Sequence, residues 1–140
     1  MYAVDVGYGQ FEWRLRQDPR VVLMERTNVR YLEPGAIAEP IDLIVIDVSF
    51  ISLTLVLPAV VAYLVASGSI VTLIKPQFEV GKGLVGRGGI VRDDGLREST
   101  VEKVVSCARD LGLQLAGRME SPIEGRKGNR EFLAWFQRKV

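Results

Sequence analysis

Three charged residues of this chain stand where an α/β sheet would present reactive side chains. Asp47 and Lys75 directly follow the apolar runs 43–46 and 70–74, and Glu131 directly precedes a third apolar segment. Because the carboxyl ends of strands in an open α/β sheet border the ligand crevice, the first two placements predict a shared site. Charged groups are costly to desolvate without partners, so we expect a polar cluster. The alternative is that these charges only solubilise strand ends.

The composition narrows the chemistry that such a cluster can do. The chain has no histidine, which removes the commonest general base and the commonest metal ligand. Acid–base chemistry must therefore come from carboxylates, Lys or Tyr, and no metal site is predicted. The single cysteine, Cys107, excludes an internal disulfide and fits a reducing compartment. Eighteen Lys and Arg against seventeen Asp and Glu give a net charge of +1, so bulk charge implies no polyelectrolyte partner.

A length of 140 residues corresponds to one domain. No charged residue occurs between Asp47 and Lys75, a stretch long enough to cross a bilayer. Pro58 and several Ser, Thr and Gly residues interrupt this stretch, and it divides naturally into a strand end, a helix and a strand. These features favour a domain without membrane contact, and the sequence at Met1 shows no signal peptide.

The pattern of apolar residues predicts alternating strands and helices. Strands are predicted at about 2–6, 21–24, 43–47, 70–74, 113–119 and 131–137, and helices at about 10–16, 51–66 and 94–111. The strand at 43–47 is apolar throughout, which is typical of burial on both faces. Asp93 or Asp94 is expected to cap the last helix and Gly112 to end it. The alternation indicates a parallel, doubly wound sheet in a single domain over residues 1–140.

Five sequence strings carry a family resemblance. They are YAVDVGYGQ (2–10), IDVSFIS (46–52), LIKPQFE (73–79), GIVRD (89–93) and GNREF (128–132). In this order they closely resemble the methyltransferase domain of the TlyA family, also called hemolysin A. The resemblance implies a Rossmann-like methyltransferase fold with a doubly wound, mostly parallel sheet. It also implies a cytoplasmic, FtsJ-like enzyme that methylates ribose 2′-hydroxyls of ribosomal RNA with S-adenosylmethionine, acting on free ribosomal RNA or on a ribosomal subunit.

The chain departs from the family pattern at its start. Family members carry an S4-type RNA-binding domain, a first catalytic lysine, and a first strand with a glycine-rich loop that cradles the cofactor. This sequence begins at the second strand of that pattern, with Met1 at the position of the preceding strand residue. The missing strand would lie centrally, so two strands would lack backbone partners, which is costly when they are dry. We therefore expect marginal stability or a homo-oligomer that compensates for the gap.

The resemblance assigns catalytic roles to the three charged residues. The last three members of the family's Lys-Asp-Lys-Glu tetrad fall on Asp47, Lys75 and Glu131. Lys75 would accept the proton of the attacking ribose hydroxyl, while Asp47 and Glu131 would position the amine and the hydroxyl. A lysine amine accepts a proton only where burial or a second cation favours its neutral form. The family's first lysine would be that cation, so we expect a lower rate without it.

The resemblance also implies binding residues. Asp5 matches the acidic group for the cofactor ribose, Asn28 lies where adenine is recognised, and Asp47 is a further cofactor contact; Asn28 can equally be a turn residue. Basic residues in two clusters are candidates for RNA phosphates, or for plain solvated loops: Lys82, Arg87, Arg92, Arg126, Lys127 and Arg130. Phe50 and Trp135 are expected to be core residues rather than base-stacking platforms.

Three rival interpretations remain at this point. Gly7 and Gly9 after a strand, with Glu25 further on, resemble a dinucleotide-binding start, but Glu12 stands where a third glycine is required. A second rival is a non-catalytic remnant or RNA-binding fragment. The third is a membrane-active hemolysin, which rests only on the uncharged stretch before Lys75.

Overall fold

The computed structural model describes residues 1–139. The chain divides into two compact units, residues 1–40 and residues 41 onward, and each is described by itself. The first unit contains strand β1 (Tyr2–Val4), helix α1 (Trp13–Gln17) and strand β2 (Val22–Met24). β1 and β2 pair in parallel, as a strand–helix–strand crossover requires. Helix α1 begins later than predicted because the Glu12 side chain accepts the backbone N–H of Arg14 and so caps it there.

The second unit is built on a four-stranded sheet. Its strands are β3 (Ile41–Ile46), β4 (Leu64–Ile74), β5 (Leu113–Glu120) and β6 (Phe132–Arg138), in the spatial order β3-β4-β6-β5. β3 and β4 are parallel, whereas β6 runs antiparallel to both of its neighbours. The mixed α/β class with a central sheet is thus confirmed: β3, β4 and β5 run in one direction, and β6 runs against them. The physical reason is that a loop over 121–131, without a crossover helix, returns the chain beside β5.

Two helices pack on this sheet. They are α2 (Leu53–Val60) and α3 (Asp94–Asp110). The predicted ends of α3 are confirmed: the Asp93 carboxylate accepts the Leu96 backbone N–H at 2.8 Å, and Gly112 follows with φ of +81°. The centre of the core is formed by buried apolar side chains from α2, α3 and the sheet, among them Leu53, Leu57, Val101, Val104, Ile70, Ile74 and Phe136.

The prediction of one helix over 51–66 was wrong at its C-terminal end. Helix α2 stops at Val60 and strand β4 already begins at Leu64, six residues earlier than its predicted start at Ile70. The Arg138 guanidinium donates to the Val61 and Leu64 carbonyl oxygens at 3.1 and 2.6 Å, which satisfies backbone groups at this helix-to-strand turn. The turn between α2 and β4 is therefore contacted by a residue far along the chain.

The prediction that strand β3 is buried on both faces was also wrong. Val45 is 70 % exposed and Leu43 is exposed as well. β3 lies at the edge of the four-stranded sheet, where among the described residues it pairs only with β4, so its apolar side chains keep contact with solvent. Within the same residues, no helix is long and apolar enough to cross a membrane.

Candidate active site

The parallel pairing of β3 and β4 brings Asp47 and Lys75 together. Ile46, the last residue of β3, is in register with Thr72 near the end of β4. The residues that follow β3 and β4 therefore lie at the same end of the sheet. The Lys75 Nζ lies 2.7 Å from Asp47 Oδ1, within the range of a charge-assisted hydrogen bond.

The Lys75 amine is held by a second contact and is largely withdrawn from solvent. Its Nζ also donates to the Ser49 hydroxyl oxygen at 3.0 Å. The Lys75 side chain is 14 % exposed, whereas Asp47 is 65 % exposed. The amine thus has a fixed position, and the carboxylate that fixes it remains accessible to a bound molecule.

Glu131 joins this group because β6 is antiparallel to β4. Phe132, the first residue of β6, is in register with Ile74, so the residue before β6 lies at the end of β4 that carries Lys75. The Glu131 side chain is buried, and its Oε2 accepts a hydrogen bond from Gln77 Nε2 at 2.8 Å. Strand direction therefore explains why a residue at a strand start shares a site with residues at strand ends.

The three predicted catalytic residues line one cleft of about 540 Å³. The cleft is also lined by Ser49, Phe50, Leu73, Gln77, Phe78, Ser121, Pro122, Ile123, Gly125, Arg126 and Leu133. An adjoining groove of about 320 Å³ shares Phe50, Gln77, Phe78 and Arg126 with it and continues along Gly88, Gly89, Lys127 and Asn129. The cleft and the groove together can therefore hold an extended ligand that runs past Asp47, Lys75 and Glu131. Among the described residues no cluster of His, Cys, Asp or Glu has the arrangement of a metal site.

Glu79 supports the site and was missed by the sequence reasoning. Its buried carboxylate accepts the Leu53 backbone N–H at 2.8 Å and the Ser52 hydroxyl at 2.6 Å, and lies 3.2 Å from Lys103 Nζ. Ser52 is the N-cap of helix α2, and Glu79, from the segment that follows Lys75, adds an acceptor for the first N–H of the helix. The turns that carry Asp47 and Lys75 are thereby tied together. The only sequence signal was a lone acidic residue at the end of the LIKPQFE string.

Asn129 is a second supporting residue that the sequence reasoning did not single out. Its side chain is buried, accepts the Val91 backbone N–H at 3.0 Å and donates to the Gly89 carbonyl at 2.9 Å. These bonds connect the loop before β6 to the end of the glycine-rich segment 81–89. Both loops contribute to the groove, so one buried amide fixes its two walls.

Phe50 is not a core residue, contrary to expectation. Its side chain is 82 % exposed, and its φ of +62° is unusual for a bulky residue. The ring lies 4.8 Å from the Phe78 ring, and both aromatics line the cleft and the groove. Trp135 is partly exposed as well, and its Nε1 donates to the Ser69 hydroxyl at 3.2 Å.

The six predicted RNA-binding residues are all exposed but differ in their surroundings. Arg126 lines the cleft and the groove, and Lys127 lines the groove. Arg92 donates to the Arg87 carbonyl at 3.2 Å, and Lys82 begins a short 3₁₀ turn in the same loop. Arg130 lies 3.4 Å from a Glu120 oxygen, which leaves its charge partly compensated. Of these six residues, Arg126 and Lys127 are the two that line the groove.

The predicted cofactor residues Asp5 and Asn28 belong to the first unit, and Asp47 belongs to the second. Asp5 follows β1, and its Oδ1 accepts the Gly7 backbone N–H at 3.1 Å. Asn28 uses its Oδ1 to accept the Arg30 backbone N–H at 3.0 Å, which is the turn role that the sequence left open. A carboxylate at the end of a parallel strand can accept hydrogen bonds from ribose hydroxyls, and the assignment of Asp5 to that role stays a prediction.

Glu25 argues against the dinucleotide alternative. Both of its carboxylate oxygens accept hydrogen bonds from the Arg16 guanidinium, at 3.1 and 2.6 Å, and Gly9 donates its backbone N–H at 2.8 Å. The bond to Arg16 holds the pKa of Glu25 below its ordinary value. A carboxylate engaged in this way anchors its own loop, which gives Glu25 a structural role.

Comparison with known proteins defines the class. The family model of the FtsJ-like methyltransferases matches residues 1–138, and the chain belongs to this family. The 16S/23S rRNA (cytidine-2′-O)-methyltransferase TlyA of Mycobacterium tuberculosis is 53 % identical over 135 residues, which cover 96 % of this chain and 50 % of that protein. The chain thus spans about half the length of this curated relative, and the resemblance to the TlyA family is confirmed.

Solved structures agree with this assignment. A candidate hemolysin from Streptococcus thermophilus superposes with a TM-score of 0.94 at 47 % identity, covering 99 % of this chain and 50 % of that chain. The N-methyltransferase NodS from Bradyrhizobium japonicum superposes with a TM-score of 0.66 at 17 % identity, covering 99 % of this chain and 66 % of that one. The second likeness shows that the fold is that of the S-adenosylmethionine-dependent methyltransferases.

Proposed function

We propose that this chain is the catalytic domain of an S-adenosylmethionine-dependent RNA methyltransferase that modifies the ribose 2′-hydroxyl of a cytidine in ribosomal RNA. The observation that carries the proposal is the Lys75–Asp47 pair, 2.7 Å apart, in one cleft with the buried carboxylate of Glu131. Membership of the FtsJ-like family supports the reaction class. The ribosomal cytidine is suggested by the name of the M. tuberculosis relative.

In this proposal the charged residues position the ribose hydroxyl and accept its proton. A ribose hydroxyl loses its proton as its oxygen attacks, so a basic group must lie within hydrogen-bond reach. Lys75 is that group, and Asp47 and Ser49 fix its nitrogen through contacts of 2.7 and 3.0 Å. Glu131 accepts a hydrogen bond from the ribose and so orients the hydroxyl toward the amine. With this geometry, the protein would accelerate methyl transfer mainly by holding the amine and the hydroxyl in position.

The cofactor contacts stay predictions made from the sequence. S-adenosylmethionine supplies an electrophilic methyl group on its sulfonium when bound. We assign the ribose hydroxyls of the cofactor to the Asp5 carboxylate and the adenine to the region of Asn28. Asp47 is assigned a further cofactor contact, since its carboxylate is exposed beyond its bond to Lys75.

The RNA is assigned to the cleft and the adjoining groove. Arg126 and Lys127 line these surfaces, and positively charged side chains there can neutralise phosphates. The exposed Phe50 ring offers a face on which the target base can stack, as aromatic residues do for unpaired bases. Lys82, Arg87, Arg92 and Arg130 are assigned a more peripheral, phosphate-following role.

The proposal is tested by two linked measurements on the chain. Calorimetric titration with S-adenosylmethionine and S-adenosylhomocysteine should show micromolar binding, and transfer of a labelled methyl group to ribosomal RNA should follow. Lys75→Met should lower the transfer rate by about 10²–10⁴-fold, the usual contribution of a general base. Lys139→Met, at an exposed position of the same charge, should not. A folded chain that binds no cofactor would contradict the proposal and favour a non-catalytic RNA-binding fragment.

Self-association belongs to the same proposal. The apolar side chains of Leu43 and Val45 are exposed on the edge strand β3, where a second copy can cover them. Light scattering over a range of concentrations should show a dimer or a larger assembly, and Val45→Lys should shift it toward the monomer. A monodisperse monomer with a high, cooperative melting transition would contradict self-association through β3.

A further inference from the structure

The Glu131 carboxylate is confined from two sides. On one side Gln77 Nε2 donates to its Oε2 at 2.8 Å. On the other side lies Gly125, where an added Cβ would overlap both the carboxylate carbon and its oxygens. Only a residue without a side chain leaves this carboxylate in place. The buried Glu131 side chain is therefore clamped between an amide and a bare backbone.

The chemistry of this contact settles which way the Gln77 amide points. An ionised carboxylate only accepts hydrogen bonds, so the NH₂ group of Gln77 has to face Glu131. The Gln77 carbonyl oxygen then points elsewhere. Among residues 1–139, Gln77 Oε1 is the buried side-chain polar atom that has no hydrogen-bond partner. The orientation that serves Glu131 thus leaves the other half of the same amide unsatisfied.

This arrangement contributes little to folding. A hydrogen bond to a charged acceptor is stabilising, but a buried acceptor without a partner is destabilising by a similar amount. An apolar side chain of the same shape would remove both effects together. Unsatisfied buried groups are rare in folded proteins and call for a specific explanation. The explanation that fits is control of the Glu131 carboxylate.

Resting on the function proposed above, we propose that Gln77 is a positioning residue for methyl transfer. It keeps the Glu131 carboxylate in one orientation while the ribose hydroxyl is aligned. Gln77 lies in the 3₁₀ turn Pro76–Phe78 that directly follows Lys75. One short segment therefore delivers both the amine and the clamp on the carboxylate, so their relative positions are fixed by the same backbone.

Two substitutions and a control test this role through kinetics. Gln77→Met keeps the length but removes the N–H donor, and should lower kcat by about 10²-fold through misplacement of Glu131, with little change in the KM for RNA. Its melting temperature should stay close to that of the wild type. Gln114→Met makes the same chemical change at an exposed position of β5 and should change neither kcat nor KM.

Gln77→Glu, the second substitution, gives a signature that a merely structural role would not. The introduced carboxyl group, when protonated, can donate to Glu131 as the amide does, whereas two ionised carboxylates at this distance repel each other. The variant should therefore have its highest kcat at a lower pH than the wild type. The other charged groups that line the cleft are Asp47, Lys75 and Arg126, and all three are unchanged in this comparison. An unshifted pH profile would count against the clamp.

A spectroscopic measurement separates failure of this inference from failure of the proposed function. The side-chain amide resonances of Gln77, identified by their loss in Gln77→Met, should move in Glu131→Gln if the hydrogen bond exists. An active wild type with full kcat in Gln77→Met would overturn the inference while leaving the proposed function intact. If the wild type transfers no methyl group, unmoved Gln77 resonances would overturn the clamp itself, and moved resonances would support it.

Discussion

The Lys75 amine nitrogen lies 2.7 Å from Asp47 Oδ1, across the ends of two neighbouring parallel strands. The pair joins a largely buried amine to a carboxylate that is mostly exposed, so solvent screens the contact and its contribution to stability is small. The value of the contact is therefore geometric, because it sets the place of the amine relative to whatever occupies the cleft.

The first prediction concerns this carboxylate. Asp47→Asn keeps the shape but removes the charge that fixes the amine, and should lower methyl transfer by about 10²-fold, as a displacement of about 1 Å can. The melting temperature should change little, since Asp47 is exposed. Asp42→Asn, at an exposed position of the same strand, is the matched control. Full activity of Asp47→Asn in a steady-state assay would remove Asp47 from the mechanism.

The second prediction tests Glu79 as a structural rather than a catalytic residue. Glu79 is buried and accepts bonds from Ser52, the Leu53 backbone N–H and Lys103. Glu79→Gln should reduce the free energy of unfolding by about 1–3 kcal/mol, because buried donors lose a charged acceptor. Thermal unfolding followed by circular dichroism should show a melting point several degrees lower. Glu102→Gln, exposed on α3, should leave it unchanged; equal melting points for the two variants would refute the role.

The sequence predicted that Asp47 and Lys75 lie together, whereas it missed several boundaries of the elements. The ends of α3 follow from local chemistry, because Asp93 caps the helix and Gly112 adopts the positive φ that stops it. The meeting of Asp47 and Lys75 follows from a general property of parallel strands. Such features depend on a few neighbouring residues, or on a rule common to the whole fold class, and a single sequence contains both kinds of information.

The features that escaped prediction depend on distant partners. The early end of α2 involves Arg138, and the contacts of Glu79 reach back across the chain to Ser52 and forward to Lys103. Phe50 was expected in the core, yet its ring is exposed and its backbone has a positive φ. The periodic pattern of apolar residues predicts neither a hydrogen bond between distant residues nor the dihedral angle of a single residue.

The third prediction tests the bare backbone beside Glu131. Gly125→Ala places a methyl group where the Glu131 carboxylate now lies, so the carboxylate has to move and methyl transfer should fall by about 10²-fold. Gly117→Ala introduces the same methyl group at ordinary contact distance from Trp135 and should be tolerated. A crystal structure of Gly125→Ala with Glu131 unmoved, or equal rates for both variants, would contradict the expectation.

The fourth prediction concerns the exposed aromatic ring. Phe50→Ala should weaken RNA binding by about 1–3 kcal/mol, the usual contribution of one stacked base, when measured by fluorescence anisotropy at fixed salt. Trp13→Ala, which removes an exposed aromatic ring from α1, should leave binding unchanged. Phe50→Gly should bind RNA as weakly as Phe50→Ala but unfold at a higher temperature, because glycine adopts a φ of +62° without strain. Unchanged affinity in both Phe50 variants would exclude stacking.

The fifth prediction concerns Cys107, which packs against helix α2. Pro58 has no N–H to donate to the Thr54 carbonyl, and the Cys107 Sγ lies 4.0 Å from that oxygen. Burial raises the pKa of the Cys107 thiol, with a smaller contribution from the Asp110 carboxylate. The native thiol should therefore stay protonated at neutral pH and react slowly with a disulfide reagent, since only the thiolate attacks.

The pH dependence of this thiol has a defined sign. A pKa that is higher in the folded than in the unfolded chain means that the folded state binds the proton more tightly. The stabilisation is complete below the unfolded thiol pKa and is lost as the pH rises through the raised folded value. The reaction rate of the native chain should therefore rise at a higher pH than that of the urea-unfolded chain. Equal rates for the native and unfolded chains at neutral pH would show that Cys107 is not shielded by its packing.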